Sequence, residues 1–352
     1  MYCLIMAGGR GTRFWPSSRR KRPKQMLDII GSKPMLQVTV DRLKKVKCVE
    51  DIFIIAGQEL APVIRREIEG INPENVLTEP SGKNTAPCIG LAALYLRKLK
   101  PEAIMGIFPA DHMIVGHRKF EKALHTAKHL AKKNSFLVTI GIEPTFPATG
   151  YGYIQFDPNS AEDYLNAFKV KTFAEKPHLV LAKRFLKSKD FLWNGGMFIW
   201  KVAAFFDQLK LHMPDLADQL KRIDQRLEKS KSFDGIWNQI TPESIDFGLM
   251  EKSNQIYVVR AEFRWSDLGS WDAVYDISPK SKGNNVIRGE GLVLEGKNNF
   301  IQSNGRFTAV LGADNLVVVN TGDATLVVPR DRVEEVKGLV EYLEKHNRKD
   351  LL

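Results

Sequence analysis

The sequence predicts an α/β fold: a mostly parallel, mixed sheet, then a small β-rich module and a terminal helix. Three observations lead there. Between residues 2 and 142, short apolar runs alternate with longer amphipathic segments, the order of a sheet covered by helices on both faces. After Ser278 the apolar runs shorten, and Gly and Asn punctuate them. Apolar residues make up 43% of the 352, which suits a sizeable buried core. The expected division is one large domain over 1–278 and a small one over 283–352.

The elements follow in order. Leu4-Ile5-Met6, with Cys3 before it, is short enough to be one buried strand. Leu36, Val40 and Leu43 share a helical face, and Asp51 to Ala56 reads as a buried strand. Val63 to Ile68 is helical, Asn75 to Thr78 strand-like, and Ile89, Ala92, Ala93 and Leu96 form a helical stripe. Ile104 to Phe108 is a strand. Phe120, Leu124, Ala127 and Leu130 make a helix, and Phe136 to Ile142 a strand. Tyr153 to Phe156 and Phe168 to Phe173 look like strands, and Leu216, Leu220, Ile223 and Leu227 sit at helical spacing. Residues 279–283 read as a linker. Val286-Ile287, Leu292 to Leu294, Val310-Leu311, Leu316 to Val319 and Thr325 to Val328 are the short runs of the β module. Asp331 to His346 closes the chain as a helix.

Composition narrows the function. A net charge of +11 favours anionic partners such as nucleotides or sugar phosphates. Nucleic acid fits less well, because the basic cluster at 19–24 is local and no zinc-finger or RNP-type motif accompanies it. Cys3, Cys48 and Cys88 are too few and scattered for a disulfide framework or a zinc site, and read as small buried hydrophobes. No run approaches the roughly 20 apolar residues of a membrane helix. With strand-like sequence directly at the N-terminus, a cytoplasmic location is the expectation.

The chemistry should lie where motifs directly follow strands. After the first strand comes Ala7-Gly8-Gly9-Arg10-Gly11-Thr12-Arg13. Its glycines let the backbone turn tightly and approach a ligand, successive N–H groups favour anions, and Arg10 and Arg13 add charge. Downstream, residues 19–24 add five cations in six positions, among them Lys24. The spacing excludes the P-loop, since no Gly-Lys-Ser/Thr occurs, and the dinucleotide fingerprint, since Gly9-Arg10-Gly11 runs on to Phe14. On glycine and charge alone, an ordinary strand–turn–helix junction with a solvated basic face fits equally well. Six further segments stand out: Glu79 to Pro87, Phe108 to His112, Thr149 to Tyr153, Phe173 to Pro177, Trp193 to Phe198 and Phe263 to Trp271. Read alone, Thr85 caps a helix starting at Ala86, Asp111 is a turn residue, and Glu175-Lys176 is a surface pair. Thr149 to Tyr153 is a plain turn before a strand, and the Asn and two Gly of Trp193 to Phe198 mark a bulge or a close ligand approach.

AGGRGTRFWPSSRRKRPKQML resembles the signature loop of the sugar-1-phosphate nucleotidylyltransferases, GGxGTR-x-x-P with a later Pro-Lys. Phe14-Trp15-Pro16 and Pro23-Lys24-Gln25 look most like the mannose-1-phosphate guanylyltransferases. The same family's patterns return in order along nearly the whole chain as EPxxKNTAP at 79–87, FPADH at 108–112, the glycine pattern around Gly150, the Glu-Lys-Pro at 175–177, and the segments around Asn194 and Asp267. The resemblance implies a Rossmann-like nucleotidyltransferase domain. It implies nucleotide binding by Ala7, Gly8, Gly9, Arg10, Gly11, Thr12, Glu79, Pro80, Asn84 and Thr85. Sugar-phosphate binding falls to Gly150, Glu175, Lys176 and Asn194, and Mg2+ binding to Asp111 and Asp267. Arg13 and Lys24 would steady the developing charge.

The implied reaction passes GMP from GTP to mannose 1-phosphate, releasing pyrophosphate. The attacking phosphate oxygen is already anionic, so no general base is needed, and no Cys or Ser is called on. Two alternatives stay open: a sister enzyme using another base or sugar, and a non-catalytic nucleotide-sugar sensor. A glycosyltransferase is disfavoured, because Asp111 is followed by His112 and Met113 rather than completing an Asp-x-Asp motif. The C-terminal module would serve as a lid or in a homodimer contact. Trp265 is expected to be a core residue.

Overall fold

The computed structural model describes residues 1–133, 135–161 and 166–352. The chain forms two compact units that interleave in sequence. The larger holds Met1–Gly8, Val40–Ala110 and Ile114–Trp265, and the smaller holds Gly9–Thr39, Asp111–Met113 and Ser266–Leu352. A linear division at 278–283 therefore leaves the signature loop and Asp111 with the first domain, whereas compactness groups them with the C-terminal module.

The strands up to the module are β1 (Tyr2–Met6), β2 (Asp51–Gly57), β3 (Val76–Glu79), β4 (Ile104–Pro109), β5 (Met113–Val115), β6 (Leu137–Ile142), β7 (Tyr153–Phe156), β8 (Ala167–Ala174), β9 (Phe191–Lys201), β10 (Ile256–Arg260) and β11 (Arg264–Ser266). In the larger unit, nine of them make one sheet in the order β3-β2-β1-β4-β9-β6-β10-β8-β7. The pairings from β3 to β4 are parallel, and so is β6 with β10. Only β8 and β9 run against the rest. The nearly all-apolar β2 and β6 are what a sheet buried on both faces demands.

Helix Thr85–Leu99 is buried almost all round, with Ala86 to Leu94 and Leu96 inside the core. Gly90 on it lies where a Cβ would strike Leu220 of helix Pro214–Glu228, so the two helices cross there at close range. Helix His117–Lys133 turns Phe120, Leu124, Ala127 and Leu130 inward, and Phe120 meets Phe108 edge-on at 6.3 Å and Phe263 at 5.4 Å.

The smaller unit contains β12 (Val286–Arg288), β13 (Gly291–Leu294), β14 (Phe300–Ser303), β15 (Thr308–Leu311), β16 (Leu316–Asn320) and β17 (Thr325–Pro329). Strands two apart in sequence pair in parallel, β12 with β14, β14 with β16, and β13 with β15. The chain thus coils, stacking Val286 on Phe300 on Val317. Buried asparagines hold the corners: Asn285 Oδ1 accepts from Asn299 N, and Asn299 Oδ1 accepts from Leu316 N, both at 2.8 Å. Helix Val336–Lys345 and segment 14–35 cover the coil, with Phe14, Met35, Trp271, Phe300, Val336 and Val340 in one core.

Candidate functional site

The end of β1 sends the chain into the glycine turn. The Ala7 N–H donates to Ile55 O at 2.9 Å, so it belongs to the sheet and only its surroundings are open to a ligand. Among the described residues, the N–H groups of residues 8–11 donate to no main-chain carbonyl, which leaves them for an anion. No atom lies within 4 Å of where a side chain would stand on Gly8 or Gly9. Gly11 has a different reason. Its φ is +62°, and a Cβ there would collide with the Lys24 side chain. The glycine turn and Lys24 are therefore packed together. Thr12 opens the short turn Thr12–Phe14 that follows.

Lys24 is 7% exposed. Its ammonium lies 2.8 Å from Asp111 Oδ2, donates to Asp267 O at 2.7 Å, and sits 5.4 Å over the Phe14 ring. Two of its three N–H donors are spent, and one is left. Burial works to raise the Asp111 carboxyl, but the Lys24 and His112 charges outweigh it and hold it below its ordinary value. Asp267 Oδ1 accepts the Gly269 N–H at 3.1 Å. The two carboxylates supply hard oxygens. Among the described residues, no group of three or more His, Cys, Asp or Glu side chains could hold a metal alone. That donor set fits Mg2+, which is commonly held by one or two carboxylates and completed by water and substrate phosphates.

The basic cluster is largely neutralised within the same unit. Arg13 Nε is 2.6 Å from Glu334 Oε2, Arg10 pairs with Glu344, Arg20 reaches Glu344 at 3.1 Å, and Arg19 reaches Asp323 at 2.9 Å. These partners come from the C-terminal module, at sequence distances no local reading can span.

In the larger unit, Glu79 ends β3 and is 8% exposed. Its Oε2 has no hydrogen-bond partner among the described residues, and burial pushes its carboxyl up to about 7. Pro80 follows, and the loop is tied by Trp237 Nε1 donating to Ser81 O at 2.8 Å and Lys83 Nζ donating to Asn238 O at 2.9 Å. The helix cap is Asn84, not Thr85: at φ +69°, Asn84 Oδ1 accepts the Thr85 N–H at 2.8 Å. Thr85 is the first helical residue, and its hydroxyl accepts from Ile245 N at 2.8 Å.

Glu175, Lys176 and Asn194 also meet in the larger unit. The Glu175 side chain is one-tenth exposed, with Oε1 2.8 Å from Lys176 Nζ, and Lys176 takes φ +46°. Asn194 N donates to Gly152 O at 2.8 Å, and a Cβ on Gly152 would strike Glu175. Gly152 is the glycine in contact with this cluster. Gly150 has open space around it. The Asn-Gly-Gly run is a bulge, since Thr139 faces Phe198 while Gly141 already faces Asn194, and Gly196 takes φ +64°. The sequence reading missed Asp246, whose Oδ1 accepts from Asn194 Nδ2 at 2.8 Å. Burial, with the Glu175 charge, raises its carboxyl to about 6. No motif marked it, although an acid in the otherwise uncharged stretch Ser244–Met250 was a usable signal. Trp265 is half-buried rather than in the core, edge-on to Tyr151 at 5.3 Å.

Residues 2–283 match the family model described as nucleotidyl transferase, and residues 289–343 one described as MannoseP isomerase/GMP-like beta-helix domain. A mannose-1-phosphate guanylyltransferase of Escherichia coli is 36% identical over 351 residues, taking in 98% of this chain and 74% of that protein. One of Klebsiella pneumoniae is 35% identical over 353 residues, taking in 99% and 74%. A crystal structure described as a mannose-1-phosphate geranyltransferase of Thermus thermophilus aligns with a TM-score of 0.88 at 32% identity, covering 97% of this chain and 99% of that one. With a matching family model across most of its length and relatives above 30% identity, this chain belongs to the nucleotidyl transferase family, among the mannose-1-phosphate guanylyltransferases.

Proposed function

We propose that the chain transfers GMP from GTP to α-D-mannose 1-phosphate, giving GDP-mannose and pyrophosphate, with no enzyme residue carrying the guanylyl group. The observation that supports this most is the arrangement around Lys24: one buried ammonium joined to the Asp111 carboxylate and to the main chain of Asp267. In this reading an oxygen of the sugar phosphate attacks the α-phosphorus in line, and pyrophosphate leaves from the opposite side. The nucleophile is an anion already, so positioning and charge neutralisation are what the protein supplies. The remaining N–H of Lys24 meets a phosphate oxygen, and Arg13 adds charge once released from Glu334. The amides of Gly8 to Thr12 take the triphosphate. Glu79 accepts guanine N–H donors with its unpartnered oxygen, beside Pro80, Asn84 and Thr85. Glu175, Lys176, Asn194 and the turn from Gly150 take the sugar phosphate. Asp111 and Asp267 would hold Mg2+, which when bound withdraws charge from phosphate oxygens.

Measuring pyrophosphate release over GTP, UTP, dTTP and ATP, each with mannose and glucose 1-phosphates, tests the assignment. GTP with mannose 1-phosphate should lead. A different leading pair makes this a sister enzyme, and no release with any pair leaves a sensor. Both substrates are phosphorylated solutes of the cell interior, and no helix among the described residues is long and apolar enough to cross a membrane. We therefore assign the reaction to the cytoplasm. A homodimer through the C-terminal module is supported by an outward apolar face, where Leu292, Leu294 and Leu311 are 42, 50 and 71% exposed. Sedimentation of the double variant Leu294→Glu, Leu311→Glu should show only monomer; an unchanged mass refutes that interface.

A further inference from the structure

Asp246 sits where a neutral residue would have been cheaper. Its hydrogen bond to Asn194 could be made as well by an asparagine or a serine, yet a carboxyl is held there beside a second one, that of Glu175. Two adjacent half-buried carboxylates repel when both are charged, with the Lys176 ammonium beside Glu175 offsetting only part of it, and such pairs cluster where a ligand is bound. The cluster also restricts Asn194. Asn194 Oδ1 already accepts from Gly196 N at 3.1 Å and from Thr139 Oγ1 at 3.3 Å. One of the two Nδ2 hydrogens goes to Asp246. A single N–H is left to offer.

We propose that Asp246 determines specificity on the sugar side: with Glu175 it forms a pair of carboxylate acceptors for adjacent ring hydroxyls, and it aims the one free N–H of Asn194 at the same ring. The proposal rests on the reading of the reaction given above and adds to it the residue that reads the sugar's hydroxyl pattern. A polyol is the ligand this set suits, because each hydroxyl brings one donor for a carboxylate and one acceptor for the Asn194 N–H.

Asp246 is held rigidly enough for that task. The turn Asp246–Met250 closes with Glu251 N donating to Asp246 O at 2.9 Å, a five-residue wide turn of the kind found at functional sites. On its other side, Ile245 N donates to the Thr85 hydroxyl and Ala86 N donates to Glu243 O at 3.1 Å. The charges that face Asp246 are Glu175 and Lys176, on the segment that follows β8. Glu251 accepts the Glu175 N–H at 3.1 Å, and Asn194 faces it from β9. Protonation of Asp246 turns an acceptor into a donor, so sugar binding should weaken on the acid side of neutrality.

The experiment compares the full chain with Asp246→Asn, measuring KM for mannose 1-phosphate and for GTP between pH 5 and 8. The wild type should show a KM for the sugar phosphate that rises as pH falls through about 6. The variant should show a KM raised at least tenfold at pH 7.5, only the shallower acid limb left by the substrate's own phosphate, which titrates at about pH 6, and a KM for GTP within twofold of the wild type. The 2-deoxy and 3-deoxy analogues give a further readout: the wild type should discriminate against at least one, and the variant much less. Equal KM values and the same pH limb in both proteins overturn the proposal. If the variant does not fold, the wild-type profile decides alone, and a KM for the sugar phosphate that is flat from pH 5 to 8 overturns it. A wild type that turns over no sugar phosphate refutes the enzymatic reading. A wild type that does, matched by Asp246→Asn, refutes only the role of Asp246.

Discussion

Glu79 offers the sharpest separation of stability from function. Its carboxyl moves from 4.5 to about 7 because it is buried with one oxygen unpartnered. At about 1.4 kcal/mol per pH unit, ionising it in the folded chain costs about 3–4 kcal/mol. The sign follows from the direction. A raised folded value means the folded chain holds this proton more tightly than the unfolded chain, so Glu79 contributes full stability below pH 4.5 and loses it as pH rises through about 7. Glu79→Gln removes the titration and keeps the shape. We predict that urea unfolding will find the variant about 2–3 kcal/mol more stable than the wild type at pH 8.5, less than the full cost because an amide still has to be buried. At pH 4.5 the two should agree. The same variant loses an anionic acceptor for guanine, and KM for GTP should rise about tenfold, the effect of about 1.4 kcal/mol. If both proteins lose stability in parallel from pH 4.5 to 8.5, the carboxyl is not the strained group the geometry makes it.

Three other perturbations test the Lys24 group. Lys24→Met should lower kcat by about 10²–10³, the loss of about 2.7–4 kcal/mol expected for one preorganised contact to developing charge. It should also destabilise the chain by stranding Asp111, so a variant near full turnover removes Lys24 from the mechanism. Gly11→Ala should approach the Lys24→Met defect in kcat, because its Cβ displaces Lys24, whereas Gly9→Ala, strained at φ +88° but unobstructed, should affect mainly KM for GTP; equal effects would deny the contact. For Asp111 the folded carboxyl is lowered, so its stability contribution is present above the ordinary carboxylate range and lost as pH falls through the folded value. Asp111→Asn should flatten that acid limb and raise the Mg2+ concentration needed for half-maximal rate. An unchanged Mg2+ titration counts against its role.

Much of the larger unit is legible because period alone specifies it. The runs 51–56, 104–108 and 136–142 form strands, and the stripe from Phe120 to Leu130 forms a helix. Strand β10 lies outside the sequence-based assignments, although Ile-Tyr-Val-Val carries the signal. So does strand β14, Phe-Ile-Gln-Ser after two asparagines, since its partners lie a full coil away and two apolar residues give no period. The same limit applies to the site. Lys24, Asp111 and Asp267 can be named from motifs, but their joining through one ammonium is a long-range fact. The pairing of Arg10 and Arg13 with Glu344 and Glu334 is invisible in the sequence for the same reason. Asp246 escapes notice because a lone acid reads as solvated until its burial and partners are seen.

The claim on which the mechanism stands is that the sugar phosphate attacks the α-phosphorus directly. The measurement is the configuration of the product made from one diastereomer of GTP bearing sulfur on the α-phosphorus. A single in-line displacement predicts inversion at that phosphorus in the sulfur-containing GDP-mannose. Retention would mean two displacements and a guanylylated residue on this chain, and would contradict the account.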